Sequence, residues 1–187
     1  MARCRCDWAT HHPLLETYHD TEWGVPLRDD QKLFEFLVLD AFQAGLSWLT
    51  VLKKRENFRR AFDGYDIEKI ARYSPARIQK LMQDEGIIRN RLKIESTVGN
   101  AKAFLEVCEK EGTFAPYIWQ FTQGKTLVSR HKTMKDIPAK TAEAEMMSKT
   151  LKKRGFRFVG PTICYAFMQA SGMVNDHLLT CFRYDQV

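Results

Sequence analysis

The chain has 187 residues and a formal net charge of +6, with 44% hydrophobic and 28% charged residues. These proportions are typical of a globular protein and exclude a low-complexity or disordered chain, and the length suffices for one substantial core or for two lobes that share an interface. No apolar run approaches the roughly 20 residues that a membrane-spanning helix requires, so we expect no membrane association.

The excess of basic residues favours an anionic partner, and this charge leaves nucleic acid open as one candidate. Five cysteines are present, and the start of the chain, Met1-Ala2-Arg3-Cys4, lacks the features of a secretory signal peptide. We therefore expect a cytoplasmic protein in a reducing compartment, where cysteines bind metals or are buried more often than they form disulfides.

Residues 1–28 show no helical or strand period but contain many aromatic and metal-ligating side chains. A disordered tail would contain fewer aromatic residues, so the sequence predicts an irregular but ordered arm that is fixed to another part of the chain. The residues of this arm that are able to bind a metal are Cys4, Cys6, His11, His12 and His19.

From residue 29 onward, apolar residues recur at helical spacing, and capping residues mark where helices begin. The predicted helices run from Asp29-Asp30 to Gly45, from Ser47 to before Gly64, from Asp66, from Ser74-Pro75 to Gly86, over 87–111, around 114–121, over 142–153 after Thr141, and from Pro161. Residues 124–140 are predicted to form a loop. Alternation with a period of two residues is almost absent, so the predicted fold is all-α, with residues 1–187 forming a single domain of one or two helical lobes.

A basic tripeptide, 152–154, leads into a predicted hairpin near 154–161 that is bracketed by Gly155 and Gly160 and followed by a helix with Pro161 in its first turn. Backbone amides at such a hairpin and helix start carry partial positive charge, which suits a phosphate. A glycine-bounded turn is a weak pattern by itself, and the basic residues are also consistent with a solvated helix end. The basic clusters at 53–55 and 89–93 have the same two interpretations.

His177 and Cys181 are four residues apart, so on a helix they would share a face and be able to bind one metal ion. A closed structural zinc site requires two more nitrogen or sulfur ligands, for which the N-terminal arm contains the candidates. A metal would explain how the arm becomes fixed, because ligation contributes folding free energy directly. The alternative is that the two side chains are simply packed in the core.

Asp40 lies within a run of large apolar residues, 37–42. A carboxylate in such surroundings must be partnered, face a pocket or be neutralised. Trp48, which follows the predicted Ser47 cap, is placed to form a wall of an Asp40 pocket. The alternatives are that Asp40 faces solvent or binds a local amide, and that Tyr18, Trp23 and Trp48 are core aromatics.

These residues together resemble the DNA-3-methyladenine glycosylase I family of the helix-hairpin-helix superfamily. The matching segments follow the family's order over nearly the whole chain and are 5–8, 18–26, 43–48, 51–56, 86–89 and 151–177. The resemblance implies an all-α helix-hairpin-helix DNA glycosylase fold and hydrolysis of the N-glycosidic bond of 3-methyladenine in double-stranded alkylated DNA. The lesion nucleotide would be flipped out of the duplex. Free 3-methyladenine is then the product, and we expect a monofunctional base excision repair enzyme that is a monomer.

The resemblance also implies roles for individual residues. The implied ligands of one structural zinc per chain, which would join the N-terminal arm to the C-terminal end, are Cys6, His19, His177 and Cys181. The residues implied to bind the excised base are Tyr18, Trp23, Trp48 and Asp40, with Asp40 also as the catalytic residue. The residues implied to contact DNA are Gly45, Leu46, Gly155, Phe158, Gly160 and Thr162.

Two positions depart from the family's usual pattern. Asp40 stands where the family usually has a glutamate, and Leu15 stands where a tyrosine is common. Both departures concern the expected base pocket and leave the zinc and hairpin positions intact. They leave open a glycosylase of the same family with altered lesion specificity, and a non-catalytic helix-hairpin-helix protein that binds DNA.

Overall fold

The computed structural model describes residues 3–187, and α-helices make up most of its regular structure. Within this range the helices are α1 (Pro13–Thr21), α2 (Asp30–Gln43), α3 (Trp48–Ala61), α4 (Ile67–Ala71), α5 (Pro75–Leu81), α6 (Arg91–Glu111), α7 (Phe114–Trp119), α8 (Ala142–Lys153) and α9 (Pro161–Ala170). Two-residue strands, β1 (Leu127–Val128) and β2 (Val174–Asn175), pair in parallel with Leu127 opposite Val174. The predicted all-α class is confirmed.

Side-chain caps fix where the helices begin. The side chains of Asp29, Ser47 and Thr141 accept hydrogen bonds from backbone amides in the first turns of α2, α3 and α8, as predicted. Such a cap typically contributes about 1 kcal/mol. The long helix α6 begins at Arg91, later than the predicted 87, because the Asn90 side chain caps it by accepting from the Lys93 amide.

The prediction of an irregular N-terminal arm is wrong for Pro13–Thr21, which forms α1. Its buried residues, Leu15, Tyr18 and His19, lie at helical spacing. A segment of nine residues in a region rich in aromatics is too short for this period to be detected in the sequence. His177 and Cys181, whose spacing would place them on one face of a helix, do not lie in a helix in the structure. They are brought together by a turn in which the Cys181 amide donates to the carbonyl of Leu178 (2.8 Å).

Helix α2 lies at the centre of the core, and ten consecutive residues of it, 33–42, are buried. It contacts α3, α6, α7 and α9, with Phe34 packed edge-on against Phe104 and Phe42 packed edge-on against Phe58. A carboxylate in this stretch is therefore held deep inside the protein. None of the described helices is long and apolar enough to cross a membrane.

The N-terminal arm is joined to the C-terminal part of the chain by backbone hydrogen bonds. The amide of Gly24 donates to Gln169, and the amide of Leu27 donates to Ser171, each over 3.0 Å. Gly172 lies so close to the arm that a Cβ atom on it would be 2.3 Å from the carbonyl carbon of Val25, and its φ of 69° also favours glycine. Both ends of the chain therefore form one wall of the site described next.

Candidate functional site

A cavity of about 540 Å³ is enclosed by the N-terminal arm, α2, α3, α9 and the loop residues 134–139. Its lining is mainly aromatic and aliphatic and includes one carboxylate, Asp40. This volume and mixture are typical of a site for a small organic molecule. Of the residues predicted from sequence to bind a base, Tyr18, Trp23, Asp40 and Trp48 all line this cavity, as does Leu15.

Aromatic rings form two sides of the cavity. The ring centroids of Tyr18 and Trp48 are 5.1 Å apart at an interplanar angle of 55°, and those of Trp8 and Trp23 are 5.1 Å apart and nearly perpendicular. Tyr18 reaches the cavity from the buried face of α1, and Trp48 is the first residue of α3 after the Ser47 cap. The electron-rich faces of such rings attract a planar, positively charged group.

Asp40 is only 2% exposed, and its Oδ2 atom has no hydrogen-bond partner among the described residues. Burial raises the pKa of the Asp40 carboxyl well above its usual range, although the positive charge of Arg55 opposes this effect. The indole Nε1 of Trp48 is likewise buried and unpartnered. Buried polar atoms are nearly always hydrogen-bonded, so two unsatisfied groups in one cavity indicate a site that a ligand completes.

An ion network connects the elements that carry the cavity walls. Arg55 of α3 contacts Glu35 of α2 (Nε–Oε1, 2.7 Å) and Glu22 at the end of α1 (Nη1–Oε2, 2.7 Å). Its guanidinium also lies over the ring of Phe36, which in turn contacts the ring of Tyr18. The Arg55 side chain is only 11% exposed, so this member of the basic cluster 53–55 is a largely buried structural cation, unlike the solvated or phosphate-binding residue that either sequence interpretation predicted.

A second group of side chains lies beside the cavity. Cys6, His19, His177 and Cys181 are all buried, and one ligand atom from each lies within 4.8 Å of those of the others. The Sγ–N distances are 3.8 Å from Cys6 to His177, 3.4 Å from Cys181 to His19 and 3.5 Å from Cys181 to His177. A tetrahedral zinc ion with ordinary bond lengths would separate sulfur and nitrogen ligands by about 3.6 Å. The four side chains therefore fit such an ion.

The outer contacts of the two histidines leave one nitrogen of each ring directed to the centre of this group. His19 Nδ1 contacts Asp20 Oδ1 (2.8 Å), and His177 Nε2 contacts the carbonyl oxygen of Trp23 (3.0 Å). These are the outer partners that metal-binding histidines usually have. Hydrogen bonds from Cys6, the two histidines and a backbone amide lower the pKa of the Cys181 thiol, which favours the thiolate that binds metals.

The remaining ligand candidates of the arm lie elsewhere. Cys4 is exposed, His11 lines the cavity, and His12 caps α1 by accepting from the Leu14 amide. The group of Cys6, His19, His177 and Cys181 shares a wall with the cavity, because the Trp23 ring packs edge-on against His177 at 4.6 Å. Trp8 packs in the same way against His19. Holding the two histidines in place therefore also holds two aromatic walls of the cavity.

Two segments predicted to contact DNA border the cavity. The loop between α2 and α3 contains Gly45, with φ of 80°, and Leu46, which is 42% exposed, and the residues on either side, Gln43 and Ser47, line the cavity. Thr162, in the first turn of α9, also lines it.

The hairpin between α8 and α9 has left-handed backbone conformations at Gly155 (φ 89°) and Phe158 (φ 55°). Among the described residues, the amides of Phe158, Val159 and Gly160 donate to no acceptor. Successive free amides of this kind form a site suited to an anion. The predicted hairpin between Gly155 and Gly160 thus ends in a short stretch of unpaired donors.

Sequence reasoning missed one whole wall of the cavity, which Met134, Ile137, Pro138 and Ala139 form. These residues lie in the segment predicted to be a loop, and the only signal was the presence of apolar side chains where a solvated loop would have polar ones. It also assigned no role to Trp8, although Trp8 belongs to the first matching segment.

Comparisons with known proteins agree in pointing to one family. A family model described as methyladenine glycosylase matches residues 8–184. The chain is 48% identical over 180 residues to DNA-3-methyladenine glycosylase 1 of Escherichia coli (strain K12), covering 96% of each protein, and 48% identical over 177 residues to DNA-3-methyladenine glycosylase of Haemophilus influenzae (strain ATCC 51907 / DSM 11121 / KW20 / Rd), covering 95% of this chain and 96% of that protein.

Solved structures are similar over the same length. A crystal structure of 3-methyladenine DNA glycosylase I superposes with a TM-score of 0.93 at 48% identity, covering 96% of this chain and 98% of the other. A structure of 3-methyladenine DNA glycosylase I from Staphylococcus aureus, which describes 3-methyladenine recognition, superposes with a TM-score of 0.94 at 35% identity and covers 98% of both chains.

Proposed function

This chain belongs to the methyladenine glycosylase family, and on that premise we propose how its cavity performs the family's reaction. The protein is a DNA-3-methyladenine glycosylase, which hydrolyses the N-glycosidic bond between deoxyribose and 3-methyladenine in alkylated DNA. The observation that carries the proposal is a buried, unpartnered carboxylate, that of Asp40, in a cavity walled by Tyr18 and Trp48.

The cavity receives a base that has left the duplex. Inside a duplex the glycosidic bond is inaccessible, so the lesion nucleotide must be flipped out, which costs a few kcal/mol. Contacts with the phosphate backbone offset that cost, and the net charge of +6 favours them. The free amides of Phe158 and Gly160 supply hydrogen-bond donors for phosphates, with Gly155 allowing the turn and Thr162 following it. Together with α8 and α9 they constitute the proposed helix-hairpin-helix element.

The loop of Gly45 and Leu46 approaches the gap that the extruded nucleotide leaves. Leu46 exposes an apolar side chain at the edge of the cavity, which suits contact with unstacked bases better than contact with phosphates. We expect one copy of the chain to act on one lesion.

Recognition of the damaged base rests on its charge. A 3-methylated adenine is cationic while attached to the sugar, and it is a good leaving group without protonation. The faces of Tyr18 and Trp48 attract this cation, with Trp23 completing the wall. The positive base also stabilises the ionised form of Asp40, which burial disfavours in the free protein. Neutral adenine provides no such compensation, so the pocket discriminates against undamaged DNA.

In the reaction, the bond from the sugar carbon to the base nitrogen breaks and its electrons leave with the base, which becomes neutral. Water bonds to the sugar carbon in its place and releases one proton to solvent. Asp40 orients the base and, once ionised, stabilises positive charge that develops on the sugar. Among the described residues that line the cavity there is no lysine, which supports hydrolysis without a covalent enzyme–DNA intermediate and without strand cleavage.

Cys6, His19, His177 and Cys181 would hold one zinc ion, and this ion would have a structural role. Two sulfur and two nitrogen ligands fill the four positions of a tetrahedral site and leave none for water. What the four residues do for the reaction is to fix Trp23 and the N-terminal arm against the C-terminal end.

The test is to measure every base released from alkylated duplex DNA by chromatography. We expect free 3-methyladenine, no strand breaks, and loss of release in Asp40→Asn but not in Asp185→Asn, which removes an exposed carboxylate. A protein that binds alkylated duplex but releases no base would be a DNA-binding protein without this activity. Release of other alkylated bases in preference to 3-methyladenine would instead indicate altered lesion specificity, which the apolar Leu15 wall would explain.

A further inference from the structure

Helix α6 carries a row of buried polar side chains on one face, and two of them, Lys93 and Asn100 (6% and 1% exposed), bind backbone outside the helix. They are seven residues apart, so they lie two helical turns, or about 10.5 Å, from each other along the axis. Neither lines the cavity, and neither belongs to the group of Cys6, His19, His177 and Cys181. Lys93 binds the end of α2, which borders the cavity, and Asn100 binds the segment that precedes α9, another bordering helix.

Lys93 fixes the end of α2. Its Nζ donates to the carbonyl oxygens of Phe42 (2.8 Å) and Ala44 (2.7 Å), directly before the exposed loop of Gly45 and Leu46. The last carbonyls of a helix have no partners within it, and a cation is a favourable one. Among the described residues Lys93 has no acidic partner within ion-pair distance, so its burial is repaid only by these carbonyl oxygens. Burial also lowers the pKa of Lys93.

Asn100 fixes the hairpin between α8 and α9. Its Nδ2 donates to the carbonyl oxygen of Arg157 (3.0 Å), and its Oδ1 accepts from the amide of the same residue (2.8 Å). These two hydrogen bonds pair the backbone amide and carbonyl of Arg157, as a neighbouring β-strand would. The next three amides, from Phe158 to Gly160, donate to no acceptor in the part of the chain that the structure describes.

We propose that α6 is the spacer that sets the distance and orientation between the Gly45–Leu46 loop and the hairpin, with Lys93 and Asn100 as positioning residues for engagement of the DNA. This inference rests on the proposed function, in which both segments contact the same duplex around one lesion. A rigid duplex binds both segments at once only when their spacing and orientation match those of its own backbone, because small misplacements of a bound group are costly.

The test is a double-mutant cycle in the full-length protein. Lys93→Met removes the ammonium but keeps an unbranched chain, and Asn100→Leu removes the amide but keeps its size. Lys102→Met, on the exposed side of the same helix, is the matched control for loss of one positive charge. Two affinities are measured for each variant: for a duplex with a single stable abasic-site analogue, and for free 3-methyladenine.

We expect each single variant to bind the duplex about tenfold more weakly or worse, with free-base affinity within twofold of the wild type. Lys102→Met should retain both affinities. The double variant should bind the duplex no more weakly than the weaker-binding of the two single variants. Misplacing one of the two segments already removes the benefit of placing the other correctly. In thermal unfolding of the wild type, the two single variants and the double variant, the losses of stability should be additive, since the sites are about 10.5 Å apart.

Three results would overturn the proposal: unchanged duplex affinity in both single variants, an equal loss of duplex and free-base affinity, or a double variant whose loss is the product of the single losses. If a variant does not fold, Lys93→Gln and Asn100→Asp, which stay polar but lose the ammonium and the amide donor respectively, are held to the same criteria. Absence of base release by the wild type would refute the proposed activity instead, and the binding cycle still decides the role of α6.

Discussion

Replacement of Asp40 by asparagine should stabilise the free protein while it abolishes recognition of the base. Oδ2 of Asp40 is buried and has no hydrogen-bond partner within residues 3–187, and burial raises the pKa of the carboxyl well above its usual range. Between the unfolded-state pKa, about 3.9, and the raised folded-state value, the folded protein binds one more proton than the unfolded chain. Stability of the wild type therefore falls as the pH rises through that interval, and the full penalty remains above it. Asparagine does not ionise, so the variant does not have this pH-dependent loss of stability.

The magnitude follows from the cost of an unsatisfied buried polar group, about 1–3 kcal/mol and more when it is charged. For a chain of this size, 1 kcal/mol corresponds to a change in Tm of about 2–4 °C. We therefore expect Asp40→Asn to unfold at least about 3 °C above the wild type at high pH, with the difference shrinking towards pH 4. At the same time it should bind free 3-methyladenine much more weakly.

The measurement is calorimetric unfolding of both proteins at a series of pH values, with Asp185→Asn as the control. A gain that does not grow with pH, or an Asp40→Asn protein less stable than the wild type throughout, would show that the carboxylate contributes to the fold. The account of a pocket completed by a cationic base would then be refuted.

Three further outcomes are expected. Trp48→Ala should weaken binding of free 3-methyladenine by about 1–3 kcal/mol, the usual worth of a base–aromatic contact, with little change in affinity for undamaged duplex; equal losses in both would indicate a folding role. Elemental analysis should find about one zinc per chain, and Cys181→Ser should remove it and lower the Tm, whereas an intact Tm without metal would exclude the structural role. Arg55→Met should lower the free energy of unfolding by up to about 3 kcal/mol in urea titrations, because it breaks the ion network around Glu35; Arg59→Met, whose side chain is 39% exposed, should cost less, and the reverse order would contradict the assignment of Arg55 as the central cation.

Local chemistry was predictable where neighbouring residues alone decide the backbone. The caps at Asp29, Ser47 and Thr141 each need only an oxygen and an amide three residues away, so the starts of α2, α3 and α8 follow from the sequence. The same holds for the all-α class, because the apolar period is a local property of the chain. It does not hold for α1, which is short and gains its stability from packing against the cavity wall.

Long-range contacts had to come from the tertiary structure. Basic residues in clusters look alike in a sequence, yet Lys93 is buried, Arg55 is largely buried, and both bind internal partners, while others around them are exposed. The spacing of His177 and Cys181 indicated that they could share one site, but a turn, and not a helix, brings them together in the structure.

The sequence by itself determined that the chain is helical, where most of its helices begin, and which residue types are available for metal, base and phosphate. The tertiary structure decided which of them meet: that Asp40 Oδ2 has no hydrogen-bond partner among the described residues, that residues 134–139 close the cavity, and that α6 binds both the backbone before the Gly45–Leu46 loop and the hairpin. The physical reason is that a cap or a period is a matter of adjacent residues, whereas burial and pairing depend on segments that are distant in the sequence reaching the same place.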